Sequence, residues 1–473
     1  MKLIKLNISN FRCFRQFEIK FASDVTVLIG KNGAGKSTLI DAIHKALSFA
    51  FISDKNYKGF LLADGIKSLK PENFSEEQDF LLDVETGYPV KEISIEAEGF
   101  IDKQRLSWTM QASTQTYALS KSAYAPTAYK FLNIVNDRKI LPVFAFYSDT
   151  YPYRSKKTIN ELITASPTFG YYSWNSYHGM TSYFVERLAQ NLAIINYHKE
   201  NIAQLDASIG IAEATGSNML SYSGSTITHQ QAQLEREQDQ KALQTCLAEN
   251  EYVENALRVF TEDDEVLPFK RLRPGRQNGK IEIEDKNGKR WSVDYLPAGY
   301  KRILYIVIDI AFRSYLLNKG KESDGIVIID EIDLHLHPSL EATVVNRFHK
   351  TFRQIQFIVT THSAAVISNI DQTTKVDGEP VNKILAMREG AESPELIPDI
   401  YGIDYSEALR DFMDTPSRNV ELKMLMDLYL TYVGHNLNEE AQSIYRQIVN
   451  KVGENSPVLD TLKEEAARYE VHK

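Results

Sequence analysis

Apolar positions change rhythm several times along the first fifty residues. Met1-Lys2-Leu3-Ile4-Lys5-Leu6 alternates like a half-buried strand. Val25-Thr26-Val27-Leu28-Ile29 is a continuous apolar run of strand length and predicts a buried strand. Thr38-Leu39-Ile40-Asp41-Ala42-Ile43 then spaces its apolar residues as a helix does. The predicted order is strand, turn, strand, loop, helix. Farther on, residues 92–101 and 105–110 alternate on either side of Asp102-Lys103-Gln104, which predicts an antiparallel hairpin. Residues 140–147 form another apolar run, with Pro142 restricted to its start or to a sheet edge. From Thr181 to about Phe260 the pattern is helical and polar, broken by Gly210, Gly216 and the Ser/Gly/Thr stretch 221–228. That predicts two helices joined by a flexible middle, either a short arm leaving the main body or a solvated helical subdomain. An apolar helix at 303–312 and strands at 325–329 and 356–359 follow, and the tail carries helical stretches at 419–434 and 438–452.

A chain of 473 residues can hold two or three domains. The predicted division is 1–180, an insertion at 181–260, 261–395, and a helical region at 396–473. Hydrophobic content of 43% and charged content of 25% suit a globular protein, and no apolar run has the length of a membrane span. The first residues lack the apolar core and cleavage site of a signal peptide, and two cysteines, Cys13 and Cys246, argue against a disulfide framework or a cysteine zinc site. The expectation is a cytoplasmic protein without membrane contact. At net charge −9 any contact with DNA needs a local basic patch. Residues 270–280 offer one, with Lys270, Arg271, Arg273, Arg276 and Lys280 among eleven positions, although a solvated face has the same pattern.

The chemistry gathers around Gly30-Lys31-Asn32-Gly33-Ala34-Gly35-Lys36-Ser37. Strand, then G-x-x-x-x-G-K-S, then helix is the P-loop in the context it needs. Backbone N–H groups of such a loop surround phosphate oxygens, and the following helix presents its positive end to the same anion. Lys36 is expected on the β- and γ-phosphates and Ser37 on Mg²⁺, with Asn32, Gly33, Gly35 and Thr38 completing the ATP cradle. The strand Gly325–Ile329 ends in Asp330-Glu331. A carboxylate pair at a buried strand end suits a Walker B element: Asp330 near Mg²⁺ and its waters, Glu331 polarising the attacking water. Next come Ile332-Asp333-Leu334-His335-Leu336-His337-Pro338, and later a strand that delivers His362 within Thr360-Thr361-His362-Ser363. Imidazole at that place can donate to a phosphate oxygen.

Several of these stretches resemble SMC/ABC-like ATPases of the AAA-15/21 grouping over residues 1–395. Asn10-Phe11-Arg12-Cys13-Phe14 is similar to their N-F-R-x-F opening, which implies that Arg12 approaches the nucleotide; a surface turn with both Phe residues facing the core is the alternative. Leu296-Pro297-Ala298-Gly299 resembles the L-S-x-G signature, which implies that Gly299 meets the γ-phosphate bound by a second subunit. A homodimer of heads around ATP, and higher homo-oligomers, follow from that resemblance. Pro297 replaces the serine and removes one hydroxyl donor. The sequence D-E-x-x-L-H-L-H-P resembles the D-loop of SMC-like and OLD-like ATPases, placing Asp333 at the subunit contact and arguing against His335 and His337 as metal ligands. His362 corresponds to the switch histidine. Ser148-Asp149-Thr150 and Arg154 stand where a sensing glutamine is expected and leave that role unassigned. The implied fold is α/β: an ABC/SMC-like P-loop ATPase head with a mixed sheet flanked by helices, an antiparallel β subdomain, a helical insertion and a C-terminal helical domain.

The tail narrows the resemblance. Tyr401-Gly402-Ile403-Asp404, Asp411-Phe412-Met413-Asp414-Thr415-Pro416-Ser417-Arg418 and the stretch 439–448 are similar to the tail of the PtuA family, ATPase subunits of the Septu anti-phage system. This implies an ATPase acting with a separately encoded HNH nuclease, PtuB, bound through the C-terminal region. A RecF-like DNA-repair ATPase and an ATP-binding scaffold without turnover stay open. An OLD-type Toprim nuclease does not fit, because about 110 residues follow His362 and they contain no Asp-x-Asp.

Overall fold

The computed structural model describes residues 1–52, 70–83, 85–150, 170–171, 174, 181–264, 269–275, 281–413, 419–454 and 456–471. It divides into two compact units, Met1–Gly402 and Ile403–Lys473.

The first unit opens with β1 (Lys2–Phe11), β2 (Phe14–Lys20), β3 (Val25–Ile29) and α1 (Lys36–Leu47). The predicted hairpin is β4 (Glu92–Ile101) and β5 (Gln104–Ser113), followed by α2 (Lys121–Arg138) and β6 (Val143–Tyr147). Strands β2-β1-β4-β5 form an antiparallel sheet, and alternation of apolar and polar positions gives it one buried face. Trp108 of β5 stacks on Phe49 with centroids 4.1 Å apart, and its indole N–H donates to the carbonyl of Ala46, 2.7 Å away. That contact ties the sheet to the end of α1. Pro142 lies just before β6, as its missing N–H requires.

Residues 181–260 form α3 (Thr181–Thr215), β7 (Met219–Tyr222), β8 (Ser225–Thr228) and α4 (His229–Phe260). The expected flexible middle is instead a β-hairpin, and Gly210 lies within α3 without ending it. The reason is the turn Ser223-Gly224, whose φ values of 50° and 78° are those of a tight hairpin turn. The hairpin folds back to close a small core of Leu205, Ala212, Leu220 and Ala232. Thr228 then starts α4 with a capping box to Gln231.

A three-stranded sheet, β9 (Phe269–Pro274), β10 (Ile281–Asp285) and β11 (Arg290–Ser292), leads into α5 (Ala298–Asn318), β12 (Gly325–Ile329), α6 (Pro338–Thr351), β13 (Ile355–Thr360) and the short α7 (Ala364–Ile367). A two-stranded ribbon, β14 (Lys375–Val376) with β15 (Glu379–Pro380), precedes β16 (Asn382–Ala386) and β17 (Glu395–Ile397). The central sheet has the order β17-β16-β3-β13-β12-β6, parallel except for β17. Strands β3, β12, β13 and β6 are buried throughout, which explains why they read as unbroken apolar runs. Gln356, fully buried in β13, hydrogen-bonds the backbone of Leu3 and Ala22 and so joins the two sheets. The unit thus combines a mostly parallel central sheet with an antiparallel sheet and helices, an α/β architecture. Its parallel strands end on one side, where loops after β3, β6, β12 and β13 converge.

The second unit holds α8 (Tyr405–Phe412), α9 (Val420–Gly434), α10 (Asn438–Val452) and α11 (Pro457–Val471). Met426, Ile448, Leu459 and Leu462 are its core, so a third helix completes the two expected ones. Residues 414–418 of the tail motif lie outside the described residues.

Candidate functional site

The P-loop joins β3 to α1, and its last glycine is dictated by space. Gly35 has φ of 91°, and a Cβ there would lie 2.7 Å from the Phe14 ring. The same turn sends Lys36 back over the loop, where its amine donates to the carbonyls of Gly30 at 2.6 Å and Lys31 at 3.1 Å. Burial pushes the Lys36 pKa down, while Asp330 and Glu331 oppose the shift.

Opposite the loop, β12 delivers Asp330 and Glu331. The Thr360 hydroxyl donates to Asp330 Oδ1 at 2.5 Å and accepts the Glu331 N–H at 2.7 Å. Glu331 has φ of 47°, the left-handed region that costs a non-glycine residue about 1–3 kcal/mol unless its surroundings hold it. Arg302 of α5, 3% exposed, donates to the carbonyls of Asp330 at 2.6 Å, Glu331 at 2.9 Å and Ser148 at 3.2 Å. Burial lowers its pKa against the attraction of Asp330, Asp333 and Glu331. Beyond β13, the backbone N–H of His362 donates to both oxygens of Asp333, at 3.3 and 3.4 Å.

Between these walls lies a cavity of about 410 Å³, lined by Cys13, Asn32, Gly33, Gly35, Lys36, Ser37, Thr38, Asp330, Glu331 and His362. An amine, hydroxyls and loop N–H groups suit a polyphosphate, and a hydroxyl beside a carboxylate suits Mg²⁺ with its water shell. A larger cleft of about 590 Å³ lies on the antiparallel sheet, among Ser9, Asn10, Ser94, Gln111 and Ser120. Only the smaller one gathers a lysine, paired carboxylates and a histidine. Residues 1–367 match the AAA ATPase domain family, AAA_15.

The chain belongs to this family.

Among curated relatives, the Retron Ec83 probable ATPase of Escherichia coli is 28% identical over 403 residues, 78% of this chain and 70% of its own length. The Retron Vc95 probable ATPase of Vibrio cholerae serotype O1 biovar El Tor is 24% identical over 82% of this chain and 79% of its own. Septu protein PtuA of Bacillus mycoides (strain KBAB4) is 27% identical over 172 residues, 36% of this chain and 24% of its own. The expected similarity to PtuA is therefore present but partial, and the similarity to the retron ATPases runs along more of the chain.

Arg12, expected at the nucleotide, does not line the cavity of this AAA ATPase, and neither do Asp333 and Gly299, whose expected place is the contact with a second subunit. Arg12 pairs with Asp41 of α1 and with Asp79, where its Nε lies 3.1 Å from a carboxylate oxygen. Phe11 and Phe14 are both buried, as the surface-turn alternative requires, and Cys13 is the part of that turn that lines the cavity. Asp333 meets the site through the His362 backbone. Gly299 sits in the first turn of α5, where a Cβ would come within 2.2 Å of the His335 carbonyl oxygen. Close packing inside one chain thus already requires a glycine there. Pro297, the N-cap of α5, supplies no side-chain hydrogen bond.

The described residues contain no group of three or more His, Cys, Asp or Glu able to hold a metal, and His337 instead caps α6 by accepting the Ser339 N–H at 3.3 Å. On β9, Lys270, Arg271 and Arg273 converge on Glu284 at 3.3, 3.2 and 3.1 Å. Arg276 and Lys280 of that patch, and Arg154, lie outside the described residues. No helix among the described residues is long and apolar enough to cross a membrane.

Arg302 and Thr360 are the site residues that sequence reasoning missed. Arg302 carried a usable signal: a cation near the N-terminal end of a helix opposes the macrodipole and so calls for acceptors nearby. Thr360 carried none, because its two bonds depend on strand pairing.

Proposed function

We propose that this chain is the ATP-binding and ATP-hydrolysing subunit of an anti-phage defence complex, an ATP-gated sensor and scaffold for an HNH nuclease of the PtuB kind. The observation that carries the ATPase part is the cavity itself, which faces Lys36, Ser37 and Thr38 with Asp330, Glu331 and His362. Lys36 and the loop N–H groups bind the phosphates, with Asn32, Gly33, Gly35 and Thr38 shaping the cradle. Ser37 would hold Mg²⁺ through its hydroxyl and Asp330 through the ion's waters, and the ion would supply neutralisation of phosphate charge. Glu331 takes a proton from the attacking water, and His362 donates to the γ-phosphate.

The defence role is supported by similarity to Septu PtuA and the retron ATPases. Two heads enclose ATP, with the start of α5 of one copy facing the P-loop of the other. A Gly299→Asp variant would be a poor test, since it would clash within its own chain. ATP-dependent dimerisation of Glu331→Gln in light scattering is the cleaner one; a strictly monomeric protein with and without ATP removes the idea. Nucleotide binding and turnover of Lys36→Ala and Glu331→Gln test the site: binding lost in the first, binding kept and turnover slowed in the second.

A scaffold that binds ATP without turnover is the reading favoured by Pro297, which leaves the start of α5 without a hydroxyl. Measurable hydrolysis that Glu331→Gln removes excludes it.

A further inference from the structure

Glu331 is held in a conformation that a non-glycine residue does not keep unaided, with φ of 47°. Side chains from two other elements hold it. From β13, the Thr360 hydroxyl accepts the Glu331 N–H and donates to the neighbouring Asp330 carboxylate. From α5, the Arg302 guanidinium gathers the carbonyls of Asp330, Glu331 and Ser148. Thr360 is 1% exposed and Arg302 3%, and neither lines the cavity. Neither can touch a nucleotide bound there.

The arrangement is costly in a way that plain packing does not explain. A guanidinium removed from water loses strong hydration, and neutral carbonyls replace it only where their geometry is fixed. The Nε of Arg302 has no hydrogen-bond partner among the described residues. Among the described residues, its hydrogen bonds go to the strand ends behind the cavity. A side chain with fewer donors would leave some of those carbonyls without a partner and free to turn, and a peptide that turns carries the Glu331 side chain with it.

We propose that Arg302 and Thr360 are positioning residues that lock the Asp330–Glu331 turn in its left-handed form and so aim the Glu331 carboxylate at the attacking water. This rests on the ATPase reading of Glu331 given above. Thr360 fixes the N–H side of the turn and the Asp330 carboxylate. Arg302 fixes the carbonyl side and ties it to the end of β6 through Ser148.

The test measures kcat, KM and equilibrium binding of a fluorescent ATP analogue for Arg302→Lys, Thr360→Val and Thr360→Ser. Each is made alone and on a Glu331→Gln background. Loss of supporting partners of this kind lowers activity by roughly 10- to 100-fold. We expect that fall in kcat for Arg302→Lys and Thr360→Val, with analogue binding within about twofold of the parent, and recovery of most of it in Thr360→Ser. On the Glu331→Gln background the same substitutions should change kcat little, because the group they aim is gone. A fall in kcat that multiplies fully with Glu331→Gln would overturn the proposal, since the two residues would then act elsewhere. So would normal kcat in Thr360→Val. Should Arg302→Lys fail to fold, the Thr360 pair decides alone. If Glu331→Gln keeps parental turnover, the ATPase reading fails and the proposal with it; slow Glu331→Gln beside normal Thr360→Val sinks only the positioning.

Discussion

In the C-terminal unit, Met426, Ile448, Leu459 and Leu462 form a small apolar core, with Leu422, Leu425 and Tyr429 partly buried against it. No polar side chain is buried there among the described residues. At the strand ends of the first unit the opposite holds: Lys36, Arg302 and Thr360 are buried among carbonyls and carboxylates. One region is held by area removed from water, which tolerates change in proportion to what is removed. The other is held by directed bonds, where losing one partner leaves another unsatisfied. The site should therefore respond to single atoms, and the tail only to changes of size or polarity.

The largest response is expected at Lys36. Lys36→Ala should lower ATP affinity by two orders of magnitude or more, about 3 kcal/mol by the usual conversion, read by calorimetric titration. Glu331→Gln replaces one oxygen by a nitrogen, and should keep ATP bound while slowing turnover by roughly 10²- to 10⁴-fold, the range of a lost general base. Parental turnover in Glu331→Gln would show that the site does not depend on that atom and would erase the contrast with the tail.

How much of this could be read in the sequence follows the same division. The P-loop, Asp330-Glu331 and His362 lie in short runs whose flanks announce strand or helix, so their convergence on one sheet side was legible. The partners Arg302 and Thr360 lie about thirty positions to either side of Glu331 and meet it only through the β12–β13 pairing and the packing of α5. No local pattern encodes such a meeting. The arm illustrates a different limit. Ser/Gly/Thr composition at 221–228 suggested flexibility, yet a left-handed Ser223-Gly224 pair and apolar Leu220 and Ile227 make it a hairpin on its own core. The expected approach of Arg12 to the nucleotide came from resemblance alone, and the acceptors that engage it, Asp41 and Asp79, are again distant in sequence.

A buried polar group of the head gives the next effect. His44 of α1 packs edge-on against Phe146 at 4.3 Å, and its Nε2 has no hydrogen-bond partner among the described residues. Burial pushes its pKa down from 6.5 to about 3, so the folded state keeps it neutral. Between those values the unfolded chain binds the proton and the folded chain does not. Stability from this group is thus fully present above pH 6.5 and falls on acidification until about pH 3. From pH 6.5 to 5 the loss is about 2 kcal/mol. His44→Phe should flatten that part of the stability profile in denaturant titrations; an unchanged slope would mean that His44 is not the group responsible.

The arm should respond less. Leu220→Ala removes part of a four-residue core, and should loosen the hairpin by about 2 kcal/mol or less, since the site can partly collapse. Hydrogen exchange should show faster opening confined to 205–232, with ATP turnover unchanged. A matching loss of turnover would mean that the arm and the site are one cooperative unit.

The smallest effect on the chain itself is expected on the outer face of α9. Val420, Met424 and Leu428 are exposed and recur every fourth residue, so they line one stripe of that helix. Leu422, Leu425 and Met426, by contrast, face the tail's own core. Exposed apolar side chains gain nothing from folding, so Met424→Asp with Leu428→Asp should move the unfolding midpoint by no more than a degree or two. Turnover should stay at the parental level. If the tail recruits a nuclease, that stripe is an apolar surface it offers for the purpose, and the double variant should lose the co-purifying nuclease while remaining folded. Apolar-to-acidic changes at an interface core desolvate a charge without a partner, so even modest affinity would not survive them. Retention of the nuclease by a folded Met424→Asp, Leu428→Asp protein would move the partner site off α9. The exposed Ile211, Met219 and Leu234 of the arm would be the next place to look, because they too show apolar surface beyond what their small core uses.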